Sequence, residues 1–311
     1  MSGYNFSIES KNLNKFFDKK KQGKVQALID FNIQIPKGSI YGLLGPNGAG
    51  KSTFINILGG LVKKNSGEIT ICGINIDQDP KNCRKKIGIV PQELNIDPFF
   101  TPIELLDLQA GLYGVSKKNR KSDEILEKVG LKDQRNAYAR TLSGGMRRRL
   151  LVAKALVHNP DIIVLDEPTA GVDVELRQNL WNYIKELNKN GTTVCLTTHY
   201  LEEAEKLCDF ITIIDKGKIL KNDTKENLLN LIGKKTVSFI LDKNINIPKE
   251  LKNFNPEIID NKLLIHYDKK VTSLKEIISI LQKNNINFDE INTYESDLED
   301  VFLSLIKKEY N

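Results

Sequence analysis

The 311-residue chain has no apolar run approaching the ~18 residues that a bilayer-spanning helix requires. Its first residues, MSGYNFSIESKN, lack the apolar core of a secretion signal. Together these absences argue against an integral membrane protein and give the expectation of a cytoplasmic chain, including one that works at a membrane surface. The four cysteines, Cys72, Cys83, Cys195 and Cys208, show no CxxC spacing, so reduced core thiols are expected rather than a zinc site. Internal repeats and low-complexity segments are also missing. What remains is an ordinary globular composition, 40% hydrophobic and 28% charged, with a length suited to one large domain plus a small one, or to two domains. The net charge is +6, yet acidic residues are interspersed among the lysine runs. That pattern describes a solvated surface, compatible with weak attraction to anionic lipid or a membrane partner, and nucleic acid is not an expected ligand.

The strongest local signal is GSIYGLLGPNGAGKSTFINILGG, residues 38–60. Ile40–Leu44 reads as a buried strand, and a helix follows over Thr53–Leu58. Between them, Gly45, Pro46, Asn47, Gly48, Ala49, Gly50, Lys51 and Ser52 fit G-x-x-x-x-G-K-[ST], with Thr53 continuing into the helix. Glycines let the backbone curl so that several amides face a β-phosphate. Lys51 brings a mobile positive charge to the β- and γ-phosphates, and Ser52 offers a hydroxyl to Mg²⁺. A second apolar strand, Ile162–Leu165, ends in Asp166-Glu167-Pro168. An aspartate at that tip holds the magnesium, usually through water, and the adjacent Glu167 suits a general base for the attacking water.

Residues 141–150, TLSGGMRRRL, raise a further question, because a periodic helical stretch begins on Ser143, Gly144 and Gly145. Ser143 as an N-cap with a flexible glycine entry is one explanation. Bare amides at a helix N-terminus, open to close approach by an anion, are the other. The stripe of Leu150, Leu151, Ala153, Ala155 and Val157 leaves what reads as a basic face opposite.

The ordered set GPNGAGKST, VPQE, LSGGM, IIVLDEP, AGVD and TTHYLEEAE resembles the ATP-binding cassette (ABC) ATPase family over residues 6–232. The resemblance implies an α/β fold: a P-loop NTPase core with a mainly parallel sheet, an antiparallel β subdomain, and a helical insertion over about 94–158. It also implies that Ser143, Gly144 and Gly145 face the γ-phosphate of ATP on a second, identical chain, two cassettes sitting head to tail around two MgATP. Gln92 matches the glutamine that senses Mg²⁺ and the γ-phosphate. His199 matches the switch histidine at the γ-phosphate, and Asp173 the loop that communicates across the dimer. Phe17 stands where the family often stacks a tyrosine on adenine, with Phe16 as the alternative stacker. Met146 replaces the family's usual glutamine.

Strands are expected over 6–13 and 24–35, with a polar loop between them. Thr101-Pro102-Ile103-Glu104 carries a helix start with cap, proline and capping-box partner, and Ser122-Asp123-Glu124 starts another helix that stops near Gly130. A helix over Thr224–Ile232 closes the first domain, with Gly233-Lys234-Lys235 as the junction. Residues 236–311 then read as a small α+β accessory domain. Its expected strands are 236–241, 257–260, 263–267 and 286–291, with a turn at Asp260-Asn261. Its expected helices are 275–282 and 298–306, and His266 is structural.

The stretch TTHYLEEAEKLCDFITIIDKGKI and the tail around Leu298–Phe302 resemble ATPases of type-2 ABC exporters. The resemblance therefore implies an ATPase subunit on the inner face of the cell membrane, driving a separate integral membrane permease. The alternative is a soluble ABC ATPase acting on ribosomes or DNA. Those usually carry two cassettes or a long coiled coil, whereas this chain has one GPNGAGKST and no long heptad array.

Overall fold

The computed structural model describes residues 5–19, 23–170, 174–232, 234–241, 247–259, 262–268, 271–295 and 297–310. They divide into two compact units, one ending at Thr224 and the other beginning at Lys225.

The first unit opens with β1 (Phe6–Lys19) and β2 (Gly23–Pro36), a long antiparallel pair. Along β2, Phe31, Ile33 and Ile35 are buried while their neighbours point outward, the alternation of a sheet with one wet face. β3 (Ile40–Leu44) is buried throughout and leads through the glycine loop into α1 (Lys51–Leu58). β4 (Ser66–Ile71) and β5 (Ile74–Asn75) extend the antiparallel sheet to the order β2-β1-β4-β5. α2 (Pro80–Lys86), capped by the Asp79 carboxylate, then delivers β6 (Ile87–Val90).

A helical subdomain follows, with α3 (Pro102–Leu112), α4 (Ser122–Lys128) and α5 (Gly144–Leu156). The expected start of α3 is present in full: Thr101 and Glu104 form a reciprocal capping box and Pro102 occupies the first turn. α4 starts at Ser122 as expected, and the Ser122 hydroxyl donates to Asp107 (2.6 Å). Leu106, Leu126, Leu131, Leu150 and Ala153 form the subdomain's own core, and Met146 packs against it. After β7 (Ile162–Asp166) come α6 (Val174–Lys189), β8 (Thr193–Thr198), α7 (Leu201–Leu207), β9 (Phe210–Asp215) and β10 (Lys218–Thr224).

The six-stranded central sheet runs β10-β9-β3-β8-β7-β6. All its pairs are parallel except β9–β10, where the edge strand returns as a hairpin. Strands β3, β7 and β8 are buried at every position, which explains the apolar run of β3 and of β7 up to Asp166, while β8 carries the buried Thr193, Thr197 and Thr198. A parallel sheet gathers the C-terminal ends of its strands along one edge, so the segments after β3, β6, β7 and β8 converge there. The antiparallel sheet is tied to this core by Ser7 Oγ and Thr193 Oγ1, 2.7 Å apart, and by Phe31 against Phe54 at 5.1 Å between ring centroids. All four cysteines are buried, and none of them is in a disulfide.

The second unit comprises α8 (Lys225–Ile232), β11 (Lys234–Leu241), β12 (Glu257–Ile259), β13 (Lys262–Asp268), α9 (Leu274–Lys283), β14 (Phe288–Glu295) and α10 (Leu298–Tyr310). Its antiparallel sheet has the order β12-β13-β11-β14. Val237, Phe239, Leu263 and Ile265 bury against Ile277 and Leu281 of α9. The unit begins at Lys225, eight residues ahead of the expected junction at Gly233, because α8 packs with α10 and so groups with the tail. Gly233 and the turn expected at Asp260-Asn261 lie outside the described residues. The last strand starts at Phe288 rather than Ile286, since Ile286 closes the turn after α9 through its amide to Leu281 O. His266 pairs across strands, its Nδ1 2.8 Å from Thr236 Oγ1.

Candidate active site

The loop after β3 owes its shape to steric limits. A Cβ at Gly45 would drive into the carbonyl oxygen of Ile214. One at Gly50, where φ is 112°, would sit 2.6 Å from Ala27 O. Gly50 is also the N-cap of α1 and has no side chain to accept from the helix, so the first-turn amides stay free of any side-chain acceptor. Such an end, with its partial positive charge, suits a phosphate. Lys51, the first residue of α1, is 5% exposed. Its Nζ donates to the carbonyls of Gly45 (2.6 Å) and Pro46 (3.2 Å), bridging the loop, and lies 3.9 Å from Glu167 Oε1. Burial draws the Lys51 ammonium below its ordinary pKa, and the carboxylates of Glu167 and Asp166 oppose that shift. Ser52 is exposed beside it.

The other strand ends complete the cluster. Gln92, two residues beyond β6, donates from Nε2 to Glu167 Oε2 (3.1 Å). Asp166 ends β7, and its Oδ1 accepts from Thr197 Oγ1 (2.6 Å). Glu167 has φ 47°, a backbone region unusual for a side-chain-bearing residue. Its amide is held by Thr197 O (3.1 Å) and Thr197 Oγ1 (3.0 Å). Both carboxylate residues are 7% exposed. His199, just past β8, puts Nδ1 3.3 Å from Glu167 Oε1. The Glu167 carboxylate is therefore the hub on which Lys51, Gln92 and His199 converge. The loop residues Asn47–Thr53, with Gln92 and Glu167, line a cavity of about 260 Å³.

The donor set suits a magnesium ion bound with phosphates. No group of three or more His, Cys, Asp or Glu among the described residues forms a protein cage for a metal. Magnesium characteristically takes one or two protein oxygens and fills its octahedron with substrate phosphates and water. The Asp166 carboxylate and Ser52 hydroxyl beside the phosphate loop match that pattern.

Other expected residues are not among those lining this cavity. Ser143 caps α5, its hydroxyl accepting from the Met146 amide (3.2 Å), so the N-cap explanation holds locally. Ser143 and Gly144 are exposed, and a Cβ at Gly144 would meet open space. Phe16 and Phe17 are about equally exposed, and the Lys15 ammonium sits 4.7 Å from the Phe17 ring centroid. Asp173 lies outside the described residues.

Sequence reading missed Thr197, the residue that orders both carboxylate positions from the neighbouring strand. It also expected a basic face on α5 without naming its residues. Arg148 is buried, at 4% exposure, and Arg149 donates to the carbonyls of Val129 and Gly130 just past α4. The signal was present: Arg148 stands three, four and seven residues before Leu151, Val152 and Ala155, which is core-facing helical spacing.

The fold and the site define a P-loop ATPase. A model of the ABC transporter family matches residues 28–170. The linearmycin resistance ATP-binding protein LnrL of Bacillus subtilis is 37% identical over 300 residues, covering 92% of this chain and 96% of its own. The daunorubicin/doxorubicin resistance ATP-binding protein DrrA of Streptomyces peucetius is 32% identical, covering 90% and 88%. A Nod factor export ATP-binding protein I of Cupriavidus pinatubonensis is 40% identical over 68% and 66%. Among solved structures, the dimeric cassette MJ0796 in a post-hydrolysis state with ADP and Pi superposes with a TM-score of 0.64 at 30% identity, covering 70% of this chain and 98% of that one. The chain belongs to the ABC transporter family and is an ATP-binding, ATP-hydrolysing subunit of such a transporter. No helix among the described residues is long and apolar enough to cross a membrane.

Proposed function

We propose that two copies of this chain close head to tail around two MgATP and drive a separate integral membrane permease, as an exporter, from the inner face of the cell membrane. The observation that carries the reading is the convergence of Lys51, Gln92 and His199 on Glu167, while the N-terminus of α5 stands exposed with open space at Gly144. A site with its phosphate loop and base in place, together with a second, exposed helix N-terminus, is suited to exchange between two copies. The exporter reading draws on relatives named for drug resistance and for Nod factor export.

In this reading the loop from Gly45 to Thr53 binds the triphosphate through its amides, and Lys51 neutralises the β- and γ-phosphates. Ser52 and Asp166 would hold the magnesium, with Gln92 at its edge; the ion supplies positive charge against the phosphate oxygens. Glu167 takes a proton from the attacking water, and His199 hydrogen-bonds the γ-phosphate. Ser143, Gly144 and Gly145 meet the nucleotide of the other copy, and Asp173 lies at the seam. An aromatic ring of β1, Phe17 or Phe16, stacks on adenine.

Size-exclusion chromatography of Glu167→Gln tests the assembly. With MgATP it elutes as a dimer and with ADP as a monomer; a monomer in both conditions, with nucleotide bound, would refute the shared site. Co-purification with a membrane protein encoded beside it tests the permease, and recovery on ribosomes or DNA instead would overturn that part.

A further inference from the structure

We infer that Arg148 is a positioning residue for ATP hydrolysis, its guanidinium fastening the Gln92 segment to the turn that carries Glu167. The inference rests on the reading that Gln92 and Glu167 act at the γ-phosphate, and it adds a residue that no motif of the chain singles out.

The geometry is that of a three-way clamp. Arg148 Nη1 donates to the carbonyls of Pro91 (2.7 Å) and Gln92 (2.9 Å). Nε donates to Pro168 O (3.0 Å), and Nη2 donates to Asp166 O (3.2 Å) and to Glu167 O. All the acceptors are backbone carbonyls, on two segments more than seventy residues apart, and the donor sits on a third. Only a planar fork reaches so many acceptors at once; an ammonium is a point charge that reaches one or two. Burial lowers the guanidinium pKa, while the charges of Asp166, Glu203 and Glu167 raise it, and the group stays protonated.

Two consequences follow for the chemistry. The Gln92 side chain meets Glu167 only while the two backbones keep their separation, and Arg148 spans that separation. The clamp also belongs to α5, whose N-cap is the exposed Ser143 five positions earlier. Displacement of that helix end is therefore transmitted rigidly to the backbone beneath Glu167. A mere core-filling role would leave the catalytic carboxylate's alignment to its own partners.

The test is steady-state ATP hydrolysis by the full-length chain carrying Arg148→Lys or Arg148→Gln, alongside Glu167→Gln as reference. Turnover (kcat) is expected to fall about 10- to 100-fold, the usual penalty for misplaced reacting groups, with KM for ATP changed less than about threefold. Hydrogen exchange should quicken in the peptide spanning Val90–Asn95 while the rest of the first unit keeps its protection. Arg148→Lys should retain more activity than Arg148→Gln. Turnover within about threefold of the parent, a rise in KM matching the fall in kcat, or loss of the cooperative thermal transition in both variants would each overturn the inference, the last by making Arg148 purely structural. If Glu167→Gln itself keeps normal turnover, the underlying site assignment fails instead, so the two failures are told apart.

Discussion

The two units of this chain handle charge in opposite ways. In the unit ending at Thr224, Lys51, Arg148, Asp166, Glu167 and Glu203 are all buried. In the unit beginning at Lys225, the buried polar side chain among the described residues is the neutral Ser238. Their sheets differ in the same sense: β3, β7 and β8 are covered on both faces, whereas Ile259 and Tyr294 of the second sheet are half exposed. Withdrawing charge from water costs several kcal/mol per ion unless partners compensate. Such groups therefore mark where a fold is organised for chemistry rather than for packing alone.

The contrast is broken most directly at Glu167. Glu167→Gln should lower turnover by about 10²–10⁴-fold with ATP binding retained, as read by phosphate release and nucleotide titration; near-normal hydrolysis would remove the general base from the buried cluster. Next in size, Gly145→Glu should reduce hydrolysis by about 10²–10³-fold, the scale of losing preorganised donors to a transition state. Nucleotide affinity of the monomer should hardly change, and an equal loss of monomer binding would show that α5 serves its own chain's site. Phe239→Ala sharpens the comparison from the other side. It should cost the second unit about 3–5 kcal/mol, seen as an earlier melting transition, and leave turnover within about twofold; a larger fall would make the second unit part of the catalytic apparatus.

The smallest effect concerns Glu203, which accepts from Trp181 Nε1 (3.1 Å) and whose pKa is raised chiefly by burial. A carboxylate with a raised folded pKa binds its proton more tightly in the native state. Its contribution is thus full below the unfolded value and is lost as pH rises through the folded one. Glu203→Gln should flatten the decline of thermal stability on the alkaline side of the ordinary glutamate range, and parallel curves for parent and variant would show that Glu203 does not titrate there.

Motif residues were legible because phosphate chemistry imposes residue types at fixed spacing: glycines where a Cβ collides at Gly45 and Gly50, and a lysine and carboxylates next to them. Strands β3 and β7 were legible because burial on both faces leaves an apolar run, in β7 up to Asp166. Short elements such as β5 and α2 were not read, since two and seven residues hold too little periodicity to distinguish. The junction moved to Lys225 because helix α8 takes its partner from α10, a choice made in space.

By itself the sequence determined the phosphate loop, the two carboxylates at the end of an apolar strand and the serine-capped glycine helix, because each is a local demand of backbone geometry or charge. Only the tertiary structure decided that Gln92, His199 and Lys51 meet on one carboxylate, that Thr197 on the next strand holds the Glu167 amide and the Asp166 carboxylate, and that the middle of three arginines turns inward. Those outcomes depend on strand order and helix rotation, which bring together residues up to a hundred and fifty positions apart.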